Sequence, residues 1–286
     1  MTFKPLRSVL YMPGDKARVL EKARTLAADA LILDLEDSGA PEQKSEARNL
    51  VSATVKAGGF GRRSTVIRVN GLQSPWIEDD FAMARQAGAD AILVPKVASL
   101  ADLARAASLA QGAALWAMIE TPLAILNLAE IGRAAAEHRL TCLVVGTNDL
   151  VKESRMSAGE QRLALVPALS QCVLAARAFA LACVDGVYND IKNSDGFEAE
   201  CRQGKLLGMD GKTLIHPSQI GPCNSVFSPS PDEVAWARGV AEIFARPENA
   251  GKGVVAQDGR MVERLHLEMA RHVLGLAEAI GEVQAS

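Results

Sequence analysis

The sequence predicts an α/β chain folded as a (β/α)8 barrel of the TIM type with a C-terminal helical extension. Three observations predict it. Eight short apolar runs follow one another, helical patterns separate them, and polar residues gather where the runs end. The length of 286 residues suits one such barrel and a tail.

The runs are RSVLYMP (7–13), ADALILDLED (28–37), STVIRVN (64–70), AILVPKV (91–97), ALWAMIET (114–121), CLVVGTNDL (142–150), CVDGVY (183–188) and KTLIHP (212–217). They are short and partly β-branched, as buried parallel strands are. Between them, DKARVLEKARTLA repeats apolar residues at helical spacing with charges opposite. PEQKSEARNLVSATVKAG opens on a proline, which suits a first helical turn, and closes at Gly58. SPWIEDDFAMARQAG offers Ser74 as N-cap, Pro75 at the first position and Gly88 just past the end. TPLAILNLAEIGRAAAEH repeats the cap-then-proline start with Thr121 and Pro122. The alternative architecture, an open doubly wound sheet, lacks its best support, because no G-x-G-x-x-G follows the first run. The barrel is expected over 1–222 and the extension over 223–286. GPCNSVFSPSPDE has the composition of a linker. PDEVAWARGVAEIFAR and MVERLHLEMARHVLGLAEAIG read as helices, and GKGVVAQDGRM as a short strand with a turn at Asp258-Gly259.

Composition narrows the function classes. Hydrophobic residues make up 49%, aromatics 4% and charged residues 23%, and the net charge is −3. No basic stripe with interleaved aromatics occurs, so a nucleic-acid partner is not expected. Five scattered cysteines form no C-x-x-C pair, which argues against a disulfide framework or a zinc ribbon. No membrane-length apolar run and no signal-peptide core is seen, and a cytoplasmic location without a membrane partner is expected.

In a (β/α)8 barrel the active site lies at the C-terminal strand ends. There the runs carry Asp34, Glu36 and Asp37, then Arg68 and Asn70, Lys96, Glu120, Asn148 and Asp149, and His216. Asp37 and Asp149 also suit plain helix caps. Glu120 does not, because Thr121 is the better cap, and a carboxylate after ALWAMI needs a cation partner. Carboxylates from separate strands with open positions suit Mg²⁺. Arg68 has the fork to bind a substrate carboxylate, and Arg68 and Lys96 also suit ion pairs with strand-end acids. The basic residues Arg7, Lys16, Arg18, Lys22 and Arg24 could meet phosphates or form a solvated face.

The chain resembles the citrate lyase β-subunit-like branch of the HpcH/HpaI aldolase superfamily. The resemblance is carried by LYMPGDKARVLEKA (10–23), ADALILDLED (28–37), VIRVNG (66–71), ILVPKV (92–97), MIET (118–121), GTNDL (146–150), GKTLIHPSQI (211–220) and GKGVVAQDGRMVERLHLEMA (251–270). It implies Mg²⁺ or Mn²⁺ on Glu120 and Asp149, a carboxylate on Arg68, and Glu36 and Asp37 near the metal waters. It also implies a homo-oligomer, trimer or hexamer, whose C-terminal extension packs on a neighbouring subunit and presents Glu263 as an acid–base group. Three departures stand out: Glu263 for a commoner Asp, Asn148 for an acid, and Gly39 after D-L-E-D-S.

The expected activity is that of a Mg²⁺-dependent carbon–carbon lyase. It would cleave a short β-hydroxyacyl-CoA, such as citramalyl-, malyl- or citryl-CoA, into an acyl-CoA and a keto acid or aldehyde. Arg68, Asp37, Glu36 and Glu263 are its expected catalytic residues, and Arg68, Lys16, Arg7 and Lys96 would bind substrate or CoA. The alternatives are a malyl-CoA-type thioesterase or a synthase, and a non-catalytic or carrier-dependent subunit of a lyase complex.

Overall fold

The computed structural model describes residues 4–157, 159, 161–257 and 260–284. The turn expected at Asp258-Gly259 lies outside the described residues. Residues 6–227 form one compact unit; 4–5 and 228–284 belong to a second.

The first unit is a closed barrel of eight parallel strands. They are β1 (Ser8–Pro13), β2 (Ala30–Asp34), β3 (Ser64–Arg68), β4 (Ala91–Val94), β5 (Leu115–Ile119), β6 (Leu140–Val145), β7 (Ala182–Asp185) and β8 (Gly211–Leu214). All eight runs are therefore strands, and β8 closes on β1. The helices are α1 (Ala17–Lys22), α2 (Lys44–Ala57), α3 (Ile77–Ala87), α4 (Leu100–Ala110) and α5 (Pro122–Leu126). Then come α6 (Leu128–Arg133), α7 (Thr147–Ser154), α8 (Val166–Ala178), α9 (Ser194–Leu207) and α10 (Ile220–Phe227). Among the described residues no helix is long and apolar enough to cross a membrane.

Strand alternation sorts the core into two layers. Val9, Ile32, Val66, Leu93, Trp116, Met118, Val144 and Val184 fill the barrel interior. Their sequence neighbours Leu10, Leu31, Leu33, Ile67, Ile92 and Leu143 face the helices instead. The outer layer also holds charge. Asp185 and Lys212 are opposite each other in the β7–β8 register. Lys212 Nζ lies 3.0 Å from Asp185 and 2.6 Å from Glu200 on α9. Arg162 grips the same Asp185 with two nitrogens at 2.8 Å. Asp185 and Lys212 are fully buried, so each needs the other.

Local differences from expectation have simple causes. The linker-like segment begins with α10, which packs on α9, β1 and β8 and buries Cys223 and Phe227. The helix expected after Thr121 breaks at Asn127, whose amide donates to the Ala98 carbonyl at 2.8 Å. Thr121 does cap α5, accepting from the Ala124 N–H. Ser74 caps nothing, since α3 begins at Ile77 after Trp76.

The second unit pairs α11 (Pro231–Ala245) with α12 (Arg264–Gln284), and joins β9 (Val254–Gln257) to β10 (Arg260–Glu263) as an antiparallel pair. Ala237, Val240, Ile243, Val255, Val262, Leu267 and Ala270 form its own core. Ser230 and Glu233 close a reciprocal capping box at the start of α11.

Candidate active site

A cavity of about 280 Å³ opens at the C-terminal end of the barrel, lined by Tyr11, Asp34, Asp37, Arg68, Met118, Glu120 and residues 145–149, with Val187, Asn189, Thr213 and Ile215. Strand register builds its charged wall. Asp34 and Arg68 are paired residues at the ends of β2 and β3, so their side chains emerge together. Arg68 holds Asp34 bidentately, at 2.7 and 2.6 Å. Its other contacts are Glu36 at 2.7 Å and Asp37 at 2.7 Å. The guanidinium also lies over the Tyr11 ring, 4.9 Å from its centroid. Burial alone would weaken the charge on Arg68, but Asp34 above all holds its pKa far above the ordinary value.

These contacts decide an alternative left open by the sequence. Asp37 caps no helix: α2 begins at Lys44, with Gln43 at its N-cap position. Asp34, a strand-end acid not assigned a role from sequence, is the main partner of Arg68. The loop behind it is moulded by Lys44, whose buried ammonium donates to the carbonyls of Leu35 (2.6 Å), Glu36 (2.6 Å) and Ser38 (3.3 Å). Gly39 closes that loop at φ 74°, a backbone state open to glycine, which gives its departure from the pattern a physical reason. Burial, reinforced by Glu120, Asp37 and Asp34, lifts the Glu36 carboxyl to about 7 despite Arg68.

Glu120 follows β5 and is 2% exposed. Its Oε1 accepts the Lys96 backbone N–H at 2.7 Å. Gly146 makes room for it: a Cβ there would stand 2.5 Å from both Glu120 Cβ and Oε2. Burial, joined by the nearby Asp149 charge, lifts Glu120 to about 7, although the Lys96 N–H and Arg68 pull it down. Asp149 lies in the first turn of α7, where Gly146 is the N-cap position and no side chain caps. The helix-cap alternative for Asp149 is therefore not what the structure shows.

Glu120 and Asp149, two acidic groups beside one cavity, form an oxygen donor set that fits a hard divalent cation. Among the described residues no group of three or more His, Cys, Asp or Glu side chains is placed to hold a metal. An ion on Glu120 and Asp149 would thus keep waters or substrate oxygens in its remaining positions, as Mg²⁺ does.

Two expected site residues, Arg7 and Lys96, lie elsewhere or act otherwise. Arg7 precedes β1, at the opposite end of the barrel from the cavity. It is 2% exposed and bidentate to Asp29 at 2.8 and 2.7 Å. The expectation that it binds CoA is corrected: it is a structural ion pair. Lys96 lies beyond β4, not in it, with an exposed side chain and a left-handed φ of 53°. Its backbone N–H holds Glu120, and its ammonium acts there as a nearby charge. Lys16 is exposed in the β1–α1 connection and pairs with Asp15 at 2.7 Å. Glu263 is in the second unit, as the last residue of β10, where its N–H donates to His266 Nδ1 at 2.9 Å. Asn70 positions α3 through Asp80, and His216 caps a short turn through Ser218.

Residues 7–217 match the description HpcH/HpaI aldolase/citrate lyase. The chain belongs to that family. Within the HpcH/HpaI family it is similar to the (3S)-malyl-CoA thioesterase of Cereibacter sphaeroides, at 49% identity over 99% of this chain and 98% of that protein. It is also similar to citrate lyase subunit beta of Escherichia coli, at 34% identity over 96% of this chain and 94% of that one. Among solved structures it resembles protein CitE from Mycobacterium tuberculosis in complex with magnesium, acetoacetate and coenzyme A. That match has a TM-score of 0.76 and 30% identity, and covers 96% of this chain and 98% of that one. The expectation of a carbon–carbon lyase is overturned by the first of these similarities. At 49% identity over nearly the whole chain, the relative is a thioesterase.

Proposed function

We propose that this family member is a Mg²⁺-dependent thioesterase that hydrolyses a short hydroxyacyl-CoA carrying a free carboxylate, (3S)-malyl-CoA being the first to test. The observation that carries the reading is the 49% identity, end to end, to (3S)-malyl-CoA thioesterase. The cavity supports it, since Arg68, Glu120 and Asp149 all line it.

Glu120 and Asp149 would hold the ion, which supplies Lewis-acid polarisation of a carbonyl and acidifies water. Arg68 would bind the substrate carboxylate. Asp37 is the partner to yield there, because its side chain is 77% exposed while that of Asp34 is 8% exposed. Water then adds to the thioester carbonyl, the C–S bond breaks, and the thiolate of CoA leaves and takes up a proton. Asp37, on the cavity wall, and Glu36 beside it are proposed to accept the proton of the attacking water. Glu263 of a neighbouring subunit is proposed for the same service. Lys16 is proposed to meet the phosphates of CoA. Assembly as a trimer or hexamer is a proposal that light scattering tests.

The experiment is a product analysis of malyl-CoA, citramalyl-CoA and β-methylmalyl-CoA with Mg²⁺ and with EDTA. The reading requires free CoA and the hydroxy acid, abolished by EDTA. Formation of acetyl-CoA and glyoxylate from malyl-CoA, without free CoA, would overturn it. Glu263→Gln should lower kcat and leave Mg²⁺ affinity unchanged.

A further inference from the structure

Hydrolysis of a thioester puts negative charge on the carbonyl oxygen, and a hydrogen-bond donor aimed there stabilises it. Several side-chain donors on the cavity wall are already engaged. All three nitrogens of Arg68 are engaged by carboxylates. The Thr213 hydroxyl donates to the Asp185 carbonyl at 2.9 Å. Asn148 and Asn189 are bound to each other, at 2.8 and 3.3 Å. Thr147 is 8% exposed and packed against Gly186, where a Cβ would stand 2.3 Å from its Oγ1. That leaves Tyr11.

Tyr11 points into the barrel from β1, two residues after the interior Val9. Among the described residues its hydroxyl meets only the Met118 thioether, at 3.9 Å, a weak acceptor that a ligand oxygen would readily replace. The ring is fixed from above by the Arg68 guanidinium. A carboxylate on Arg68 therefore brings the rest of a short acyl group past the phenol. Burial keeps the phenol protonated far above its ordinary range, with Asp34, Glu120 and Glu36 adding to the effect.

We propose that Tyr11 is a substrate-contacting residue whose hydroxyl donates to the acyl oxygen next to sulfur, while its ring serves as the platform for Arg68. The assignment rests on the thioesterase reading above. It makes the ring and the hydroxyl separable. Tyr11→Phe keeps the platform and deletes the donor; Tyr11→Leu deletes both.

The test compares wild type, Tyr11→Phe and Tyr11→Leu by CoA release from malyl-CoA, by calorimetric binding of malate with Mg²⁺, and by melting temperature. Malate places a carboxylate oxygen where the thioester oxygen would lie. Tyr11→Phe should melt as wild type does. Its kcat should fall about 10²-fold, the usual effect of losing one oxyanion donor. Malate should bind about tenfold more weakly, as expected for one lost hydrogen bond to a charged group. Wild-type turnover and malate binding in Tyr11→Phe would overturn the proposal, as would a defect confined to Tyr11→Leu. If wild type releases no CoA yet binds malate, the thioesterase reading fails, and the binding comparison alone decides the role of Tyr11. A wild type that does neither overturns both.

Discussion

Replacing Gly146 by alanine should cripple the proposed metal site while leaving the barrel folded. The added Cβ would stand 2.5 Å from Glu120 Cβ and 2.5 Å from Glu120 Oε2. Carbon atoms prefer about 3.5–4.0 Å, so the overlap is about 1 Å. Rotating the glutamate moves Oε2 but not Cβ, which is fixed to the backbone. The backbone has little freedom, because Ile119 and Val145 are paired in the β5–β6 register and the Gly146 N–H donates to the Ile119 carbonyl at 3.0 Å. The strand ends must part, and Glu120 must leave the Lys96 N–H. Overpacking of this kind costs about 1–3 kcal/mol, and an error of about 1 Å at a reacting centre costs about 10²-fold in rate. Calorimetric Mg²⁺ titration, CoA release and thermal melting read the three consequences. We expect Mg²⁺ to bind at least about tenfold more weakly, kcat/KM to fall about 10²-fold, and a melting point a few degrees lower. Gly281→Ala in α12, where a Cβ meets nothing within 4 Å, is the control and should leave kinetics unchanged. Mg²⁺ affinity and kcat/KM within about twofold of wild type in Gly146→Ala would refute the steric argument.

Two further perturbations probe the scaffold behind the site. Lys44→Met removes the donor to three loop carbonyls; melting should register a loss of about 1.5–3 kcal/mol, and KM should rise as Glu36 and Asp37 lose their fixed loop. Lys44→Arg should restore part of both. Asp185→Asn leaves Lys212 and Arg162 buried with only Glu200 opposite them, and chemical denaturation should show a loss of about 3–5 kcal/mol. The same pair fixes an acid limit. Burial opposes ionisation of Asp185, but Lys212 and Arg162 prevail and hold its pKa below the usual carboxylate range. A depressed folded-state pKa gives stability that is present above the unfolded value, about 4, and is lost as pH falls through the folded one. Denaturation midpoints should therefore drop below about pH 4 in wild type, and more shallowly in Asp185→Asn; parallel acid profiles would show that another group sets the limit.

Much of the fold was legible because buried parallel strands leave an apolar run and active-site barrels place polar residues at one end of it. Glu120 stood out for the same reason, as a carboxylate on a run that otherwise has no charge. What stayed hidden depends on register, which no single run contains. Asp34 becomes the partner of Arg68 only because β2 and β3 align them. Arg7 looked like part of a basic surface, yet Asp29 at the far end of the barrel buries it. Lys96 looked like a strand-end cation, yet the strand stops at Val94 and the chain turns left-handed. Lys44 did leave a signal. It shares a helical stripe with Ala47, Val51 and Val55, all buried in α2, and a lysine on such a stripe needs buried acceptors.

The error over the reaction has a different origin. Breaking a carbon–carbon bond and hydrolysing a thioester begin from the same bound substrate, with its carboxylate on an arginine and its oxygens near a cation. Arg68, Glu120 and Asp149 suit both, so residues chosen for binding cannot separate the two outcomes. What differs is the route of one proton and the access of one water. Cleavage takes a proton from the substrate hydroxyl and gives one to carbon; hydrolysis takes one from water and gives one to sulfur. The groups that could steer those protons are Asp37 and Glu36, both drawn onto Arg68, and Tyr11, which can donate to an oxygen but is not built to attack. A donor aimed at the thioester oxygen favours attack on that carbonyl, and it also stabilises an enolate formed by cleavage. Under the proposed reading, Tyr11 alone does not separate the two reactions. The difference would lie in whether water reaches the acyl carbon, a property of the whole cavity wall; similarity along the entire chain to a thioesterase favours hydrolysis where the motifs suit both.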